Sequence, residues 1–120
     1  MLIAAWIVSG LAGLLFFAAG LMKTVRPKTA LAESGMAWTE DFNAPQVKFI
    51  GIAEVLGGLG LILPVATGIL PWLTPVAAFA LTIIMIGATV VHVRRSEPFV
   101  PALVLTLLAA AAGVLWLLAA

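Results

Sequence analysis

The chain has 120 residues, 64% of them hydrophobic and 9% charged, with a mean hydropathy of +1.26 and a formal net charge of +1. A soluble domain of this size buries only about two-thirds of the surface its unfolded chain exposes, so the composition excludes one and places the chain in a bilayer. The near-neutral charge gives no indication of nucleic acid as a partner, and the absence of cysteine excludes disulfide exchange, thiol redox chemistry and a thiolate metal site.

Crossing the hydrocarbon takes about 20 apolar residues in a helix, and the chain holds enough for four such spans. The first is predicted over residues 2–22, where no side chain is charged. No Lys or Arg precedes it, which argues against a secretory signal peptide and for a helix retained in the mature protein. Residues 23–45 form a long first loop, "KTVRPKTALAESGMAWTEDFNAP". Pro27 can open a short interfacial helix there and Gly35 can close it, with Leu31, Trp38 and Phe42 at near-helical spacing. Trp38 reads either as an anchor at headgroup level or as part of a lid over a cavity.

A second helix is predicted over 46–63 and a third over 72–93, separated by Pro64 and Pro71, with Pro75 in the first turn of the third. The second is short for a span. Lys48 reaching outward, or continuation past Pro64 to Thr67, supplies the missing length. The fourth is predicted over 98–119, again without a charge. The expected fold is an all-α integral membrane four-helix bundle forming one domain, with a structured first loop.

All six basic residues flank two connections: Lys23, Arg26, Lys28 and Lys48 at the first, Arg94 and Arg95 at the third. With four spans those connections share one face, and the positive-inside rule makes it cytoplasmic, leaving both termini outside.

Glu54 is the one ionisable side chain between Lys48 and His92. It lies about 9 Å inward from Lys48 along the helix axis, within hydrocarbon. A bare carboxylate there costs at least a few kcal/mol, so it must face the bundle interior and find a partner or stay protonated. Gly51 and Gly58 share its face and admit a neighbouring helix, as Gly13 and Gly20 do on the first helix; Gly10, Gly57 and Gly60 read the same way. Lys48 points about 120° away on the helical wheel. Lys23 reaching back along its own helix is the first candidate partner, and His92, on a stripe with Thr82, Met85 and Thr89, is the second. Glu54, Lys23, His92 and Thr89 are therefore expected to form a polar cluster. Two readings of it stand: a functional intramembrane carboxylate, or an ion pair that fixes helix packing. His92 also suits a helix C-terminus beside two arginines without any further role. It is the single histidine of the chain, which leaves no metal site.

The segments "FFAAGLMK", "KFIGIAEVLGGLGLILP" and "LTPVAAFALTIIMIGATVVHVRR" together resemble the DoxX family, in its DoxX-like branch. The elements that carry the likeness are Gly20 with Lys23, Glu54 followed by glycines and Pro64, Pro75, and Ala88 to His92. The resemblance implies a small protein of the bacterial inner membrane with four helices. It also implies kinship with proteins linked to thiosulfate:quinone oxidoreductase, to redox-stress complexes and to membrane chaperones.

No nucleophile with its base, metal cluster or cofactor fingerprint is present, so no catalytic residue is assigned. Three functions fit. One is an accessory or binding subunit that holds a quinone or lipid and supports a membrane redox partner protein. Another is a proton-coupled exporter of the small multidrug type, against which stand the one-sided charge and the place of the carboxylate in the second helix. The third is a structural or chaperone role through small-residue faces, which would also allow a homodimer.

Overall fold

A computed structural model of the chain describes residues 2–26, 30, 31, 39 and 42–119. Among them, four spans are long and apolar enough to cross a bilayer: α1 (Leu2–Val25), a broken span made of α2 (Ala44–Gly60) and α3 (Leu63–Thr67), α4 (Leu73–Arg94) and α5 (Val100–Ala119). The chain is an all-α integral membrane four-helix bundle. Around the bundle the order is α1, α2, α4, α5, and α5 packs back on α1. Its long axis of 41 Å matches the thickness of a bilayer with its headgroups.

The bundle is inside-out relative to a soluble domain. Phe49, Ile83 and Ile3 are more than 70% exposed, whereas Glu54 is 1% exposed and Ser9 and Thr74 are fully buried. The interior is built from Phe16, Leu61, Ala78, Leu81, Ala109 and Ala112, and small alanines let α4 and α5 approach. Trp6 and Trp116 meet edge to face, 5.3 Å apart, and tie α1 to α5.

Helix ends differ from the sequence expectation for identifiable reasons. α1 continues to Val25 instead of ending at residue 22, because no breaker intervenes, and so Lys23 belongs to its last turn. α2 starts at Ala44, two residues early, because Asn43 caps it: the Asn43 side chain accepts from Gln46 N at 2.8 Å and the Gln46 side chain accepts from Asn43 N at 3.0 Å. The short interfacial helix expected after Pro27, and Trp38 with it, lie outside the described residues. Leu31 and Thr39 of that connection are fully buried.

The break between α2 and α3 has a chemical cause. Pro64 has no N–H, so the Gly60 carbonyl loses the donor that would continue the helix. Thr74 of α4 takes over, its hydroxyl donating to Gly60 O at 2.9 Å, while Ser9 of α1 donates to the Leu61 carbonyl. With those carbonyls satisfied inside the membrane, the span resumes to Thr67 and ends at Gly68, whose φ of +72° suits a residue without Cβ. Thr74→Val should therefore destabilise the protein by about 1–2 kcal/mol, since it leaves a half-buried carbonyl without its donor. Unfolding in mixed micelles checks this, and a Thr74→Ser variant should restore most of the loss.

Candidate functional site

α1 and α2 cross at two glycine pairs. A Cβ on Gly20 would stand 2.5 Å from the Gly51 carbonyl oxygen, and one on Gly51 would stand 2.8 Å from the Gly20 carbonyl oxygen. One notch further along, a Cβ on Gly58 would stand 2.8 Å from Gly13 O and one on Gly13 would stand 3.0 Å from Gly58 O. Each glycine of the first pair also makes room for a charged residue of the opposite helix. Glu54 Cβ lies 2.9 Å from where a Gly20 Cβ would be, and Lys23 Cβ lies 2.8 Å from where a Gly51 Cβ would be. The helices are antiparallel, so these two residues flank the crossing from opposite sides. The lysine stem folds back across it.

Lys23 Nζ donates to Glu54 Oε1 at 2.5 Å, with Lys23 8% and Glu54 1% exposed. Among the described residues, Glu54 Oε2 is buried without a hydrogen-bond partner. Lys48 turns away and donates to the Thr24 carbonyl at 3.0 Å.

Beside this pair lies a cavity of about 630 Å³. It sits at the end of the bundle that carries the first and third connections, because α2 and α4 touch closely only toward the other end. There Gly57 packs on Leu81 and Gly60 on Ala77. The wall includes Lys23 from α1, Ile50 and Glu54 from α2, Met85 and His92 from α4 and Leu105 from α5. Most of it is hydrocarbon, and Lys23, Glu54, His92 and Glu97 are its ionisable side chains.

His92 lines the same cavity as Lys23 and Glu54, yet its described partner is Glu97 rather than Glu54: Nδ1 lies 3.2 Å from Glu97 Oε1. Arg95 Nε stands 3.2 Å from the other oxygen of Glu97. Glu97 is the residue that the sequence reading missed. The signal was present as an acid five residues after His92 in a tight connection, where His92 O accepts from Glu97 N at 2.9 Å.

Thr89 departs from the expected cluster and is absent from the cavity wall. Its hydroxyl donates to Met85 O at 2.8 Å and lies 3.5 Å from the Thr106 hydroxyl, on the seam with α5. A three-residue offset from His92 rotates it about 60° around the helix, enough to move it from cavity to seam. Thr82 similarly satisfies itself on Ala78 O at 2.7 Å. Gly10 also differs from expectation, with nothing within 4 Å of the Cβ it lacks.

The profile of the DoxX-like family matches residues 7–114, a stretch that contains Gly20, Lys23, Glu54, Pro64 and His92. The chain belongs to the DoxX-like family. No curated protein and no solved structure matches it. In this DoxX-like protein, the elements that carry the sequence resemblance thus have defined places: Gly20 and Lys23 at the α1–α2 crossing, Glu54 opposite them, Pro64 at the broken span and His92 across the cavity.

Proposed function

We propose that this DoxX-like protein is a noncatalytic binding or accessory subunit whose bundle holds a membrane amphiphile, a quinone or a lipid, with the head at the Lys23–Glu54 pair and the tail among the apolar walls. The observation that carries the reading is the cavity itself. Its volume of about 630 Å³ suits one small ligand. A mostly hydrocarbon lining that includes the buried Lys23–Glu54 pair is complementary to a molecule that has a polar head and an apolar tail. In the orientation that the six-to-zero distribution of basic residues favours, the end that carries the first and third connections faces the cytoplasm of a bacterial inner membrane and both termini lie outside.

The same geometry weighs against the other readings. Glu54 is engaged by Lys23, which makes it a poor carboxylate for alternating drug and proton exchange. Gly13 and Gly20 of α1 and Gly51 and Gly58 of α2 are taken up by each other's helix, so these four positions do not serve a structural partner or a second copy.

The experiment is extraction and titration. Protein purified from bacterial membranes should carry near-stoichiometric quinone or lipid, and delipidated protein should be stabilised by decylubiquinone by about 2.7 kcal/mol at a hundredfold excess over the dissociation constant. Empty protein whose melting temperature ignores added quinone would end this reading.

A further inference from the structure

The cavity is not sealed on all sides. Toward the first and third connections α2 and α4 leave a gap, and the residues that line it are partly exposed: Ile50 on α2 and Ile84, Ala88 and Val91 on α4 are half-buried, and Gly87 is exposed. Gly87 lines the cavity, yet nothing lies within 4 Å of the Cβ it lacks. Its situation is the reverse of that of Gly13, Gly20, Gly51 and Gly58, each of which has a neighbour at 3.0 Å or less of its missing Cβ. A glycine inside a helix costs about 1 kcal/mol relative to alanine. At the crossing that cost is offset by close packing. At Gly87 no packing offsets it, and the place of the missing side chain is open space on a residue that borders the cavity.

Depth decides what the gap faces. Gly87 is seven residues before Arg94, the last residue of α4, and so lies about 10 Å inward along the axis. Ile83 and Ile86 beside it are 71% and 52% exposed, as suits side chains in contact with acyl chains. The gap therefore faces hydrocarbon and not water. The ionisable side chains that line the cavity, Lys23, Glu54, His92 and Glu97, are half-buried or buried, unlike Ile83 and Ile86 on the lipid-facing side.

Resting on the binding function above, we infer that the cleft between α2 and α4 is a lateral portal, through which the apolar tail of the ligand passes directly from the bilayer, with Gly87 as the residue that keeps it open. A head-and-tail molecule dissolved in the membrane then reaches the Lys23–Glu54 pair without its tail crossing water. The other approach, past Pro98 at the connection between α4 and α5, serves as the comparison.

The test uses the full chain in nanodiscs and, as the probe, a quinone whose decyl tail ends in a trifluoromethyl group, with free and bound populations read by fluorine NMR exchange. Gly87→Leu places a side chain in open space and should keep helical content and leave the ligand-free melting temperature unchanged or slightly raised. The association rate should fall about tenfold or more, the scale expected when extra methylenes obstruct an apolar site. Pro98→Leu should leave that rate within about threefold, an indifference that a substitution off the route predicts. Ile84→Trp, at the same mouth, should act like Gly87→Leu and guards against an idiosyncrasy of one substitution. If Gly87→Leu and Ile84→Trp leave association unchanged while the probe still binds, or if only dissociation accelerates, the portal is refuted and the binding function stands. If Pro98→Leu alone slows entry, the route is past the connection between α4 and α5. If the probe does not bind the unmodified protein at all, the binding function fails and the portal with it.

Discussion

Glu54→Leu and Lys23→Met are each expected to destabilise the protein by about 3–5 kcal/mol, whereas the double variant should be more stable than either single one. Each single change leaves the opposite charge in the bundle without its counter-ion, and Glu54 is 1% exposed, beyond the reach of compensating water. The penalty should be larger for Lys23→Met. Glu54 would then keep a buried carboxylate whose second oxygen already has no partner among the described residues, while a lysine deprived of Glu54 can swing its long stem from the last turn of α1 out toward the headgroups. Replacing both partners by apolar groups of similar size removes the desolvation cost together with the attraction, which is why the double variant recovers. Unfolding the four proteins in a denaturant series gives the coupling energy directly. Strictly additive losses would mean that the two groups do not interact. The double variant also separates architecture from function: a folded bundle without the charged pair should no longer be stabilised by decylubiquinone if the ligand head sits there.

The next largest effect is expected at the helix crossing. Gly20→Leu should abolish the native packing of α1 on α2, and even Gly20→Ala should cost about 1–3 kcal/mol through overpacking. A Cβ at this position meets the Gly51 carbonyl oxygen at 2.5 Å and the Val55 nitrogen at 2.7 Å, both backbone atoms that no rotamer change can move aside. The helices would have to separate, and with them Lys23 and Glu54, so quinone-dependent stabilisation should fall alongside the melting temperature. Gly10→Ala is the matched comparison on the same helix. With nothing within 4 Å, it should be neutral or stabilise by up to about 1 kcal/mol. Equal melting temperatures for the two alanine variants would show that the close crossing does not exist in the membrane.

Much of this was legible in the residues because a bilayer imposes few choices. The four apolar runs, the need of Glu54 for an interior partner and the reach of Lys23 back toward it follow from length, hydropathy and helix geometry. The continuation of the second span to Thr67 was legible as one of two ways to lengthen a short helix. That the span breaks on the way was not, because the outcome depends on Thr74 and Ser9, residues of other helices that receive the carbonyls at the break. Glu97 was hidden for a similar reason. A carboxylate beside Arg94 and Arg95 reads as a neutralising surface charge until the tight connection folds it against His92.

The sequence by itself determined that this chain lives in a membrane, how many times it crosses, and that one carboxylate must turn inward, since each of these depends on the transfer of single side chains or single helices between water and hydrocarbon. Only the tertiary structure decided which groups meet and where space remains. Gly10, Gly20 and Gly87 look alike in the sequence, yet one faces nothing, one admits a neighbouring backbone and one leaves open the side of a cavity. The difference lies in the angle and distance between helices, and those are set by all the interhelical contacts acting together rather than by any one residue's solubility in lipid.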